Sequence, residues 1–345
     1  MKRIIQDLNF AELTALTQEL GEQKYRAGQL YRGIMRGSRI SDISDLSKSF
    51  REKLLERFED EPVRIREAFS SSDGAEKYLF ELSDGNLVEG VLMSYKYGRT
   101  QCVSTQVGCR MNCAFCASGL HFLRDLTAGE ILAQVLAVNA RAGGTAERRA
   151  GADVVLMGSG GPLDNYDNTI RLLPNVTAGG GICISPRNIS LSTCGLVPAM
   201  YKLADEGIPL NLTVSLHAAD DEERARIMPV AKVYKIADIL AACENYFEKT
   251  GRRYIFEYSL IAGENTSREH AEALIRLLRG RPCHVNLIRL NEVKERGLRG
   301  IGKKEAYRFL GMLEKGGLSA TLRRTIGADI GGACGQLRAS YLKEE

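Results

Sequence analysis

The chain has 345 residues, 44% of them hydrophobic and 26% charged, with a formal net charge of +4. That length suits one large α/β domain plus a small accessory domain. No apolar run approaches the roughly 18 residues of a membrane span, and the N-terminus, with its acidic residues, reads as no signal peptide, so a cytoplasmic protein without membrane contact is expected.

Residues 1 to about 70 read as helical. FAELTALTQELG has apolar residues at helical spacing and stops at Gly21, YRAGQLYRGIMRG ends near Gly37, and SKSFREKLLERF makes a third helix. A helical accessory domain over 1–75 is therefore expected. EKYLFEL and NLVEGVLMSY then flank Ser83-Asp84-Gly85, a hairpin-type turn. From there strands and helices alternate. QCVSTQV, DVVLM, NISLS, LNLTVSL, RYIFEYSL, HVNLIRL and SATLRR read as strands. Among the helices between them, one opens on a capping box of Thr127 with Glu130, IADILAACENYFEKT stops at Gly251, REHAEALIRLLRG stops at Gly280, and KKEAYRFLGMLEKGG comes last. Repeated β-α units imply a parallel sheet with right-handed crossovers; about six of them suggest an α/β partial (β/α)6 barrel over 76–345, open on one side. Such folds keep their chemistry at the C-terminal strand ends. Cys109, Gly158–Gly161, Ser192, His217 and Asn291 all fall at, or just past, a predicted strand end.

Nine cysteines suit metal or redox chemistry better than disulfides in a reducing compartment. Cys183, Cys194, Cys243 and Cys283 lie in apolar or strand-like stretches and read as packed thiols. Basic clusters at Lys24–Arg26, Arg32–Arg36, Arg252–Arg253 and Arg323–Arg324 permit an anionic partner such as RNA; alone they read as solvated faces.

The densest chemical signal is Cys109-Arg110-Met111-Asn112-Cys113-Ala114-Phe115-Cys116, three thiols on one tight loop after a strand. A closed zinc site needs four ligands, usually as two paired knuckles, and no Cys-x-x-Cys partner exists elsewhere in the chain. Three thiolates instead leave one iron of a [4Fe–4S] cluster without a protein ligand, open to a substrate-like chelator. A structural zinc knot and free thiols are the alternatives. The spacing Cys-x3-Cys-x2-Cys resembles the signature of the radical S-adenosylmethionine (SAM) superfamily. The resemblance implies a cluster held by Cys109, Cys113 and Cys116, with SAM on its open iron. One electron, from a donor such as flavodoxin or ferredoxin, would cleave SAM to methionine and a 5′-deoxyadenosyl radical.

Further pieces narrow the resemblance. GNLVEGVLM, CVSTQVGCRMNCAFCASG, LTAGEIL, NYDN, ISLSTCGLVP, SLHA, MPV, FEYSLI, EHA, NLI and ACGQLR run over nearly the whole chain. Together they resemble the RlmN family, radical SAM adenine-C2 methyltransferases that modify 23S rRNA and tRNA. The resemblance implies a barrel of the radical SAM type, an RNA-gripping accessory domain and a monomer. It also implies two SAM per turnover. Cys334 would take a methyl from one SAM, and the radical from a second would activate that methyl for addition to the adenine. Glu89 would accept the C2 proton, and Cys102 would release the product through a transient disulfide with Cys334. Gly160, Gly161, Ser192, Ser215, Leu216, His217 and Asn291 match SAM-contacting positions.

Three positions depart from the family pattern. The family reads Gly-Glu-Pro where this chain has Gly160-Gly161-Pro162, so a carboxylate is missing. Losing a charge-assisted hydrogen bond to the SAM ammonium costs on the order of 1.5–3 kcal/mol, roughly one to two orders of magnitude in affinity. Gly331 replaces the usual Asp three residues before Cys334. Arg289 stands where proline is usual, as in Cfr-type enzymes, which methylate adenine C8. C8 methylation, or an impaired paralogue that binds RNA and a cluster without turnover, are the alternative readings.

Overall fold

The structure, a computed structural model, describes residues 2–145 and 148–330. Its N-terminal helices form where apolar spacing and caps predict them. α1 (Phe10–Glu19) opens on a capping box, Asn9 Oδ1 accepting from Glu12 N at 3.0 Å and Glu12 Oε2 from Asn9 N at 2.8 Å. α2 (Tyr25–Met35) follows, then α3 (Lys48–Arg57), capped by Ser47. Arg3–Ile4 pairs in parallel with Phe58–Glu59 and ties the two ends of this layer together. The buried sides of Ile5, Leu13, Leu30, Ile34, Phe50 and Leu54 join the same apolar core as the sheet. Two polar contacts fix the layer in place: Asp7 Oδ1 accepts from Gly129 N at 2.6 Å, and Arg171 pairs with Glu12 at 2.6 Å.

Two readings need correction. Residues 63–70, read as the end of the helical region, form strand β1 (Val63–Ser70). Val63 and Ile65 alternate with arginines, a period-2 signal too short to stand out among charges, and pairing with β2 (Glu76–Leu82) decides it. QCVSTQV, read as one strand, is divided. Its first residues complete β4 (Gly98–Val103), while Gln106–Gly108 leaves the sheet to pair with Phe122–Asp125. Between them β3 (Leu87–Tyr95) makes the expected hairpin with β2.

One ten-stranded sheet runs in chain order from β1 to β10. After β4 come β5 (Asp153–Leu156), β6 (Ile189–Thr193), β7 (Asn211–Ser215), β8 (Tyr254–Leu260), β9 (Cys283–Arg289) and β10 (Ala320–Leu322). β1 to β4 pair antiparallel and β4 to β10 parallel. Helices return the chain after each parallel strand: α4 (Ala128–Arg141), α5 (Tyr166–Thr177), α6 (Val197–Asp205), α7 (Asp221–Ile227) with α8 (Ile236–Thr250), α9 (Arg268–Leu278) and α10 (Lys303–Lys315). α4 shows why they dock: Ile131, Leu132, Val135 and Leu136 are all buried, and each full burial contributes on the order of 1.5–3 kcal/mol. α8 ends at Gly251, whose φ of +66° makes the left-handed cap expected there. The edge strands β1 and β10 do not pair with each other, so the barrel is open on one side. Among the described residues no helix is long and apolar enough to cross a membrane.

Candidate active site

The cysteine loop grows from the C-terminal end of β4. Ser104 and Thr105 lead out of the sheet, Gln106–Gly108 and Phe122–Asp125 form the arms of a hairpin, and Cys109, Cys113 and Cys116 lie between them. Gly108 makes the bend possible: its φ is +86°, and a Cβ there would lie 1.5 Å from His121 O. Cys116 N donates to Cys113 O at 3.1 Å and Ala114 N to Ile227 O at 2.8 Å. Arg296, past β9, donates to Asn112 Oδ1 at 2.7 Å and to Cys116 O at 3.3 Å. Arg110 lies 4.1 Å from the Phe122 ring centroid and pairs with Asp164 at 3.0 Å and Asp125 at 3.2 Å.

The three thiols are half-buried. Burial, reinforced by the neighbouring Cys116, pushes the Cys109 thiol up to about 11. Cys113 moves the same way, through burial and then Cys116, Cys194 and Cys109. Thiols that resist ionising together are relieved of that penalty by a soft cation. The donor set fits an iron–sulfur unit, whose thiolates sit on separate irons.

Around this loop the parallel strands end. Gly160 packs against Gln106, and Gly161 N donates to Gln106 Oε1 at 2.8 Å. Ser192 on β6 and Ser215 on β7 are half-buried, while Asn291, just past β9, is exposed. Leu216 lies wholly in the core, its N–H donating to Glu257 O at 3.0 Å, so it shapes the site from behind. His217 is buried at φ +60°, and its Nδ1 accepts from Ser259 N at 2.9 Å, which leaves the ring proton on Nε2. Burial first, then the Arg224 charge, lowers the His217 pKa to about 3, so the imidazole is neutral at physiological pH. Its ring meets Phe115 edge-on at 4.6 Å, linking the SLHA turn to the cysteine loop.

A third group lines the inner face of the sheet. Lys77 stands opposite Val91, and Val91 opposite Cys102. Glu89 precedes Val91 on the same face of β3, so Lys77, Glu89 and Cys102 share one side of three adjacent strands. Cys102 is buried among Val91, Met93, Tyr95, Val155, Met157 and Ile326. Several of these also line a cavity of about 330 Å³ inside the barrel, with Ser190, Thr213, Glu257, Asn286 and Arg323 at its polar side. Cys334 and Gly331 lie outside the described residues.

Residues 103–278 match the Radical SAM superfamily, and residues 5–59 match the Ribosomal RNA large subunit methyltransferase N-terminal domain. A probable dual-specificity RNA methyltransferase RlmN of Clostridium botulinum (strain Eklund 17B / Type B) is 49% identical, the alignment covering 100% of this chain and 99% of that one. Its counterpart in Lachnospira eligens is 47% identical over 99% of this chain and 97% of its own length. The chain belongs to the RlmN family. A crystallised radical SAM methyltransferase from Sphaerobacter thermophilus superposes with a TM-score of 0.92 at 39% identity, covering 97% of this chain and 98% of that one.

Seen as an RlmN-family site, the arrangement holds residues that sequence reasoning passed over. Arg224, wholly buried, donates to the carbonyls of Cys194 at 2.6 Å, Ser215 and Leu216 at 3.1 Å each, and Tyr234 at 3.5 Å, and so gathers the ends of β6 and β7. Lys77 hides in a strand whose central residues are buried on both faces. Of the four cysteines read as packed, Cys243 and Cys283 are buried, but Cys194 is half-buried beside Cys113, and Cys183 is exposed at φ +54°. Cys183 lies in a glycine-flanked turn, where the neighbouring isoleucines point inward and it does not.

Proposed function

We propose that this RlmN-family chain methylates carbon 2 of adenine in 23S rRNA and tRNA, with Cys334 as the methyl carrier. The full-length likeness to dual-specificity RNA methyltransferases carries the reading. Carbon 2 of adenine is not nucleophilic, so direct displacement from SAM does not reach it. Cys334, as thiolate, takes the methyl of one SAM and leaves S-adenosylhomocysteine. Cys109, Cys113 and Cys116 would hold a [4Fe–4S] cluster, which would supply the electron for cleaving a second SAM, with flavodoxin or ferredoxin as its source. Ser192, Ser215, His217, Asn291 and the backbone of Gly160 and Gly161 orient SAM, and Leu216 backs them. The 5′-deoxyadenosyl radical would take one hydrogen atom from the methyl of Cys334 and leave as 5′-deoxyadenosine, and addition of the resulting carbon radical to C2 would tie RNA to protein. The radical adduct would pass one electron back to the oxidised cluster and the C2 proton to Glu89. Cys102 then attacks the Cys334 sulfur, the departing carbon takes up a proton to become methyl, and the disulfide is reduced for the next turnover.

The N-terminal helical layer, α1 to α3, grips the RNA through exposed cations on and beside α2, Lys24, Arg32 and Arg36. The enzyme works as a cytoplasmic monomer. Anaerobic reconstitution with SAM, reductant and each RNA, followed by nucleoside mass spectrometry, tests the reading. It requires 2-methyladenosine in both RNAs. A product carrying only 8-methyladenosine sinks it in favour of the Cfr-type reaction, and RNA binding without release of 5′-deoxyadenosine favours an impaired paralogue.

A further inference from the structure

Lys77 has a fully buried side chain, and its Nζ lies 3.0 Å from Oε2 of the almost equally buried Glu89. The pair is diagonal on neighbouring antiparallel strands: Lys77 stands opposite Val91, and Glu89 two residues earlier on β3 faces the same way. The backbone beneath it is pinned, since Ser104 Oγ donates to Glu89 O at 2.7 Å. A buried ion pair is a poor stability device, because apolar residues of similar volume serve as well or better. What the pair provides is a carboxylate held against a buried ammonium, on a frame that cannot turn aside.

We propose that Lys77 is the positioning residue of the reaction: its ammonium, 3.0 Å from Glu89 Oε2, holds the carboxylate aimed along the inner face that it shares with Cys102. The inference rests on the reading of Glu89 as the acceptor of the C2 proton. An acceptor must present its oxygen to that proton, and the buried ammonium is what fixes where the Glu89 oxygens lie. When Glu89 takes the C2 proton, Lys77 becomes a buried cation facing a neutral acid. That imbalance favours release of the proton to the carbon that leaves Cys334 and becomes methyl, which resets the base. The ammonium itself gains and loses nothing in the cycle.

The test uses reconstituted full-length enzyme with RNA. Proton removal is the step that lets the RNA–Cys334 adduct resolve, so its failure leaves a covalent complex that denaturing gels display. Lys77→Met is expected to methylate Cys334 and release 5′-deoxyadenosine as the parent enzyme does, yet to resolve the adduct at least about tenfold more slowly. Lys77→Arg keeps the charge and is expected to recover most of the rate. Lys77→Gln, which keeps a donor and drops the charge, replaces Lys77→Met if that variant does not fold, with the same expected outcome. A folded, cluster-loaded Lys77→Met or Lys77→Gln that resolves the adduct at the parent rate overturns the proposal. Failure of the parent enzyme to form any C2 product would instead overturn the functional reading beneath it, so the two failures are distinguishable.

Discussion

Asp329 reaches back to Ser71, the two being 258 positions apart, and accepts a hydrogen bond from its Oγ at 2.5 Å. Ser72 adds two more, from its N at 3.0 Å and its Oγ at 3.2 Å. Asp73 of the same turn answers by accepting from Gly327 N at 2.8 Å. This reciprocal clasp ties the segment after β10 to the β1–β2 turn, and between them Ile326 packs into the apolar group around Cys102. The last described residues, 326–330, are thereby anchored beside Cys102.

Cutting the clasp should loosen that anchor and leave the fold intact. Asp329→Ala is expected to speed amide exchange over residues 326–330 severalfold and to slow methylation of Cys334, while iron content stays at the parent level. The parent itself should show a pH limit. Ser71, then Ser72, holds the Asp329 carboxyl down at about 2, against an ordinary 3.8. A depressed carboxyl contributes fully above its ordinary pKa and loses that contribution as pH falls through the folded value. Exchange protection of the segment should therefore hold from neutrality to about pH 4 and fade towards pH 2. Protection that ignores both the substitution and this pH window would show that the clasp is not what orders the segment.

The cysteine loop depends on a position with no chemistry of its own. Any side chain at Gly108 meets His121 O at 1.5 Å, a backbone atom that cannot swing away, in a φ that L-residues avoid. Backbone strain of this kind costs on the order of 1–3 kcal/mol before the clash is counted. Gly108→Ala should force the hairpin arms apart and misplace Cys109. The expected result is a folded barrel by circular dichroism that retains little iron and sulfide after reconstitution. Parent-level iron in Gly108→Ala would mean that the arms yield without disturbing the thiols.

Much of this was legible in the chain. Capping boxes at Thr127 and glycines at 251 and 280 marked helix ends because caps and left-handed turns are local devices with residue-specific physics. The three cysteines stood out because their residue type and spacing form one local pattern, and the fold keeps them on one loop. β1 could not, because an edge strand of alternating arginines takes its identity from the strand it pairs with. Lys77 and Arg224 were hidden for a related reason. A charged residue in sequence is presumed solvated, and only the register and the strand-end carbonyls show these two to be buried and engaged. Polar interiors are long-range objects, assembled from strands that are far apart in the chain.

Gly161 is one of two positions, with Gly331, where this chain reads glycine in place of a carboxylate of the family pattern. Its φ is not left-handed, and a Cβ there would meet nothing closer than Asp164 Cβ at 3.4 Å, so a side chain fits without moving the backbone. The nearest like charge, Asp164, is already engaged, paired with Arg110 at 3.0 Å and bonded to Gln106 Nε2 at 2.7 Å. A glutamate at this position would then be free to meet the SAM ammonium, an interaction worth on the order of 1.5–3 kcal/mol. Gly161→Glu should tighten SAM binding by roughly one to two orders of magnitude, measured by anaerobic equilibrium dialysis on cluster-loaded protein. Unchanged affinity would place the ammonium elsewhere. It would also mean that this chain's SAM pocket meets that charge with a group other than the one at position 161.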